Sequence, residues 1–187
     1  MATQQNPTSA VLSQMIEEWG ARVRIDAGSR ILVSSPQLAK DIADLTKAVA
    51  TPYGPTIVIA ARDKASASKA TDASAPNTTT EAIDDLKMDH FTHAIADVSS
   101  EGGKACMTIM KHAHYALAPK GIFIVIALKR DGLLERISGE SKGRVSTLSD
   151  VVDFAGFERG KIRGMEKTAD GVEADVVLAM KWDQLTA

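Results

Sequence analysis

Asp97 closes the run FTHAIAD, and a carboxylate near the end of a buried strand can have its pKa raised by burial until it serves as a general base. The same group can instead accept backbone N–H groups or cap the next helix, which is the commoner outcome. Ser99, Ser100, Gly102 and Gly103 follow at once, and small residues at a helix start can cradle a phosphate or simply cap the helix. Arg62, Lys129 and Arg130 each follow an apolar run and could together form an anion-attracting rim; solvated surface charge is the plainer alternative. His90 and His93 precede or open their strand, while His112 and His114 lie on the order of 13 Å along a helix at 1.5 Å per residue. All four therefore read as surface or satisfied histidines. Cys106 shares a helical stripe with Ile109, Met110, Ala113 and Leu117, which suits a core thiol better than a nucleophile. No Ser-His-Asp arrangement emerges, and one cysteine cannot build a zinc cluster of the usual Cys/His spacing, so no metal is expected.

These residues matter only if the chain brings them to one edge, and its periodicity says how. Val11, Leu12, Met15, Ile16 and Trp19 recur at helical spacing after Thr8 and Ser9, forming a lead-in helix that ends at Gly20. Arg30 to Ser34 reads as a strand and Thr56 to Ala61 as a second, with a helix between them capped by Ser35 and begun by Pro36. Phe91 to Val98 and Ile122 to Leu128 are two more strands, the latter apolar throughout and so buried on both faces. A helix capped by Ser146 or Thr147 follows and closes at Gly156, before two final strands turn through Asp170 and Gly171. Strands alternating with helices imply a parallel sheet with right-handed crossovers, and the terminal hairpin adds an antiparallel strand. In an open sheet of this kind ligands sit at the carboxyl ends of the strands, where Ser34, Ser35, Arg62, Asp63, Asp97, Ser99, Ser100, Lys129 and Arg130 should gather.

A chain of 187 residues suits one domain over 1–187, with residues 1–8 as a flexible tail and 71–80 as a mobile loop rich in Ala, Ser, Thr and Asp. A formal net charge of -2 with no block of like charge argues against nucleic acid or an anionic membrane as partner. The start, MATQQNPTSA, lacks the apolar core of a secretory signal, and no stretch reaches the eighteen or so apolar residues of a membrane span, so a cytoplasmic location is expected.

The order of elements resembles the class I S-adenosylmethionine-dependent methyltransferases. In that family a helix ending in a Leu-Lys-Pro-Gly-Gly type turn leads into a strand, as in HYALAPKGIFIV here, and a later helix ends in Ala-Gly-Phe, as in VVDFAGFERGKI. The resemblance implies a Rossmann-like, mostly parallel sheet with a C-terminal antiparallel hairpin. It also implies a Gly-x-Gly-x-Gly loop after the first strand and an acidic residue at the end of the second. At the first place stands VSSPQLAKD, where Ser34, Ser35 and Pro36 bring side chains into the space of the ligand; at the second stands Ala61, with Asp63 two residues on. The motifs are degenerate at both contacts.

The expectation that follows is a non-methylating, methyltransferase-like domain, a pseudoenzyme that has lost the usual S-adenosylmethionine site and acts as a protein-interaction or ligand-binding module, with no cofactor. The alternatives are a cofactor-independent enzyme of small-molecule biosynthesis, cyclising or isomerising a metabolite with Asp97 as acid/base, and an ordinary small-molecule methyltransferase that does bind S-adenosylmethionine. Its partner would be a protein or a small molecule, and self-association through the lead-in helix or final hairpin is open.

Overall fold

The computed structural model describes residues 6–47, 54–69, 77–129 and 144–182. Its strands are β1 (Arg30–Val33), β2 (Thr56–Ala61), β3 (Thr78–Ala82), β4 (Phe91–Asp97), β5 (Leu117–Leu128), β6 (Ile162–Ala169) and β7 (Val172–Met180). They form one sheet in the order β3-β2-β1-β4-β5-β7-β6. The first five pair in parallel, and β7 is antiparallel to both β5 and β6. This is the mostly parallel sheet with a terminal antiparallel hairpin that the alternating apolar runs imply.

The helices are α1 (Pro7–Trp19), α2 (Pro36–Leu45), α3 (Lys64–Lys69), α4 (Gly103–Ala116) and α5 (Arg144–Phe154). Two cores result, one on each sheet face. Helices α1 and α2 pack Leu12, Met15, Leu38 and Ile42 against Ile31, Ile57, Ile95 and Ile124. On the other face α4 and α5 pack Met110, Ala113, Leu148 and Val152 against Leu32, Ala94, Phe123 and Val125. Period-two alternation distributes the side chains, so β4 sends bulky Ile95 one way and small Ala94 and Ala96 the other.

The two stretches that carried the family resemblance have clear local causes. In LAPKGIF, Lys120 adopts φ 66° and Gly121 has no room for a side chain, since a Cβ there would lie 2.7 Å from the Ala118 carbonyl oxygen. In FAGF, Gly156 adopts φ 117° beside the His114 ring, and Phe157 then turns inward to stack on Phe123 with ring centroids 5.2 Å apart.

Three boundaries differ from the sequence reading. Helix α1 begins at Pro7, inside the expected 1–8 tail, because Asn6 rather than Thr8 or Ser9 is the cap and its side-chain oxygen accepts the Thr8 N–H at 3.4 Å. Thr78–Ala82, which overlaps the expected 71–80 loop, is a parallel edge strand paired with β2 from Ile57 to Ala61. Helix α5 begins at Arg144, before the expected caps Ser146 and Thr147. Arg130 and residues 1–5 and 71–76 lie outside the described residues.

Candidate functional site

Strand β1 ends at Val33, and the chain turns at once into α2 through Ser34 and Ser35. Ser35 caps the helix, accepting the Leu38 N–H at 3.3 Å, and Pro36 occupies its first position. Ser34 Oγ accepts the Asp97 N–H at 3.1 Å, which ties the end of β1 to the end of β4. The bend is therefore committed to side-chain contacts within the chain.

Asp97 is equally engaged. Its carboxylate accepts the Thr8 hydroxyl at 2.6 Å, the Ser99 N–H at 2.8 Å and the Ser99 hydroxyl in a short hydrogen bond. Thr8 and Ser9 are buried, and the Thr8 bond to Asp97 sets the first turn of α1 against the carboxyl end of β4. Beside it, Asn6 Nδ2 donates to Asp41 at 3.4 Å and Gln37 Nε2 donates to the same carboxylate at 2.9 Å. Burial holds Asp41 above the usual carboxylate range, against the pull of Gln37. A polar network thus occupies the α1 side of the carboxyl edge.

The other sequence candidates are placed as follows. Ser99 is buried and does not cap α4; its hydroxyl accepts the Leu128 N–H at 2.8 Å and so staples β4 to β5. Ser100 is exposed in the turn, and the cap of α4 is Gly102, with no side chain serving it. Ala61 ends β2 as expected. Asp63, two residues on, accepts the Ser66 N–H at 2.7 Å, and that bond lowers its pKa. Lys129 is no anion-attracting rim: it lies 3.1 Å from Glu166, 3.4 Å from Glu173 and 3.8 Å from the fully buried Asp175. These carboxylates, Glu166 first, hold its ammonium above the usual range.

An open cavity does exist, on the α4 face of the sheet. It measures about 540 Å³, in the range of small-molecule sites. Leu32, Ala60, Ala94 and Ala96 form its floor, with Ile83 and Leu86 on one side and Ile109 and Ala113 of α4 on the other. Its cause lies in the connection from β3 to β4, which spans only residues 83–90 and holds one 3-10 turn, Ile83–Asp85. No helix among the described residues covers β1 and β2 there, and alanines on the strands below leave depth. Ser34, Arg62, Glu101 and Lys104 line the cavity at its carboxyl-edge end, and His112 lines it farther along α4.

Of the polar residues that line the cavity, Ser34 and Arg62 are among the candidates the sequence offers, and Glu101, Lys104 and His112 are not. His112 lies well along α4 from the strand ends, and it lines the cavity because the cavity runs down the flank of α4 instead of stopping at the edge. Asp97 is not among the lining residues. His93 and His114 are both pushed below the usual histidine pKa by burial, and His114 packs edge-on to Phe157 with centroids 4.9 Å apart. They are packing groups. Among the described residues no cluster of His, Cys, Asp and Glu could hold a metal ion, and no helix is long and apolar enough to cross a membrane.

Cys106 is buried, and burial, helped by the charge of Glu101, pushes its thiol up to about 11. At pH 8 only about one thiol in a thousand would be ionised. Iodoacetamide at pH 8 is therefore expected to leave the native protein unlabelled over hours and to label it once in urea, as read by intact mass; prompt native labelling would contradict this packing.

No family model and no curated protein matches the chain by sequence. Many solved structures match it in fold. The apo form of the S-adenosylmethionine-dependent methyltransferase SibL is 14% identical with a TM-score of 0.63, over 94% of this chain and 55% of that one. The CurJ carbon methyltransferase is 12% identical with a TM-score of 0.60, over 94% and 54%. The [4+2]-cyclase SpnF is 13% identical with a TM-score of 0.61, over 96% and 85%. The chain spans about half the length of the first two. Identities this low establish the fold alone: a class I methyltransferase-like fold.

Proposed function

We propose that this domain, built on the class I methyltransferase fold, transfers no methyl group and instead binds a small, largely apolar molecule in the cavity under α4. One observation carries the reading: the first turn of α1 is hydrogen-bonded onto Asp97 at the carboxyl edge, through Thr8 at 2.6 Å. A methionine or ribose moiety placed against Asp97 would have to displace Thr8 and the Ser34 hydroxyl, leaving a partly buried polar network broken. Ala61 offers no carboxylate to ribose hydroxyls, and Asp63 is held by Ser66. Each charged hydrogen bond of that kind that is lost costs roughly 1.5 to 3 kcal/mol. A cytoplasmic setting and a small-molecule or protein partner, with nucleic acid excluded by the net charge, belong to the same proposal.

The test is a thermal shift. A ligand at a hundredfold excess over its Kd stabilises the native state by about 2.7 kcal/mol, which for a domain of this size raises Tm by roughly 5 to 10 °C. S-adenosylmethionine and S-adenosylhomocysteine at 1 mM are each expected to move Tm by less than about 1 °C. A rise of several degrees with either would end the proposal.

A second reading is a cofactor-free enzyme that cyclises or isomerises a metabolite in the same cavity. The size and apolar floor of the cavity favour it, and SpnF, a cyclase, shares the fold at 13% identity. In that case Glu101 and His112, which line the cavity, are better placed for proton transfer than Asp97, which does not.

A further inference from the structure

We infer that the ligand of the α4 cavity is an elongated, mostly apolar molecule bearing one anionic group, seated with that group toward Arg62 and Lys104. The inference rests on the cavity being a binding site and adds the chemical class of its occupant.

The chain as a whole is acidic, with a formal net charge of -2, yet the charged lining of the cavity is Arg62 and Lys104 against Glu101 alone. Both cations lie at the carboxyl-edge end, Arg62 just beyond β2 and Lys104 in the first turn of α4. Neither makes an ion pair with a described residue, whereas the next basic residue along, Lys64, is paired with Asp85 at 3.1 Å. The same end receives the N-terminus of α4. That helix has 14 residues, and its cap, Gly102, supplies no side chain to the free N–H groups. Two cations and the positive end of a helix therefore outweigh the one carboxylate, Glu101, at this mouth, where a negative group is favoured over a positive one.

Away from the mouth the lining is apolar: Leu32, Ala94, Ile109, Ala113 and Phe123. His112 stands eight residues beyond Lys104 on the same helix, about 12 Å along at 1.5 Å per residue. A carboxylate, sulfonate or phosphate head with a body of that length matches both halves. A wholly apolar molecule would leave the cations unused, and a compact anion would leave the apolar floor wet.

Fluorescence titration with two matched dyes tests this: anionic 1-anilinonaphthalene-8-sulfonate and uncharged N-phenyl-1-naphthylamine. Both should bind the native protein, the anion more tightly. Arg62→Ala with Lys104→Ala should weaken the anionic dye about tenfold, the scale of two partly exposed charge contacts, and change the neutral dye less than about twofold. Both side chains are exposed, so the double variant should melt like the parent. Equal affinities for the two dyes in the parent, or equal losses in the double variant, overturn the anionic class while leaving the cavity reading intact. Thr108→Trp, an exposed lining position on α4, should abolish binding of both dyes, with Ala105→Trp as an independent second block. If neither dye binds the parent, or both survive the two blocks, the cavity reading itself fails and takes this inference with it.

Discussion

Asp97→Ala is expected to lower the stability of the domain by about 2 to 4 kcal/mol, because the carboxylate accepts three hydrogen bonds, from residues that are themselves buried. The donors are the Thr8 hydroxyl and the N–H and hydroxyl of Ser99. Ser99 is itself buried and fastens β5 to β4 through the Leu128 N–H, so the loss reaches the centre of the sheet. For a domain of this size the change corresponds to a fall in Tm of roughly 5 to 15 °C. Thr8→Val, which removes one donor without leaving the carboxylate bare, should cost only about 1 kcal/mol. Urea unfolding of both variants measures the two effects. An Asp97→Ala protein within about 0.5 kcal/mol of the parent would mean that the carboxylate is free for chemistry after all.

The second large effect belongs to Phe157. It is 2% exposed, stacks on Phe123 at 5.2 Å and meets the His114 ring edge-on at 4.9 Å. Phe157→Ala empties a site walled by β5, α4 and α5, which cannot easily collapse onto it. A loss of about 3 to 5 kcal/mol follows, with Phe157→Leu recovering roughly half because most of the apolar volume returns. Denaturant midpoints at constant slope give the comparison, and a Phe157→Ala midpoint equal to the parent's would show that this aromatic pair holds nothing together. Phe123 also lines the α4 cavity, so Phe157→Ala should weaken dye binding there only indirectly, through the position of its neighbour.

How far these features could be read from residue types differs from element to element. The sheet was legible because its interior strands are rich in apolar residues, and the hairpin because Asp170 and Gly171 form a turn signal between the edge strand β6 and the apolar β7; both take φ > 0 in the turn. Strand β3 was not, since TTTEA carries a single apolar residue and is an edge strand with little to bury. Its three consecutive β-branched residues were the only signal. The start of α1 was legible in principle, because Asn6 followed by Pro7 is a strong cap and first-turn pair; Thr8 and Ser9 drew attention away from it. The bond from Thr8 to Asp97 joins residues 89 apart in the chain, which no local pattern reveals. The cavity was hidden for a different reason. It arises from what the connection of residues 83–90 omits, and from alanines at positions 60, 94 and 96 that look like ordinary strand filler in a linear reading.

Strand β7 lies inside the sheet, between β5 and β6, although it follows both of them in the chain. While the ribosome is still adding residues 172–180, the all-apolar stretch Ile122–Leu128 has its outer row of N–H and C=O groups open, a ready template for a stray chain. The nascent polypeptide is therefore vulnerable to aggregation until β7 has emerged, and a stop codon or slow translation before β7 should leave inclusion bodies where a stop after it leaves folded protein.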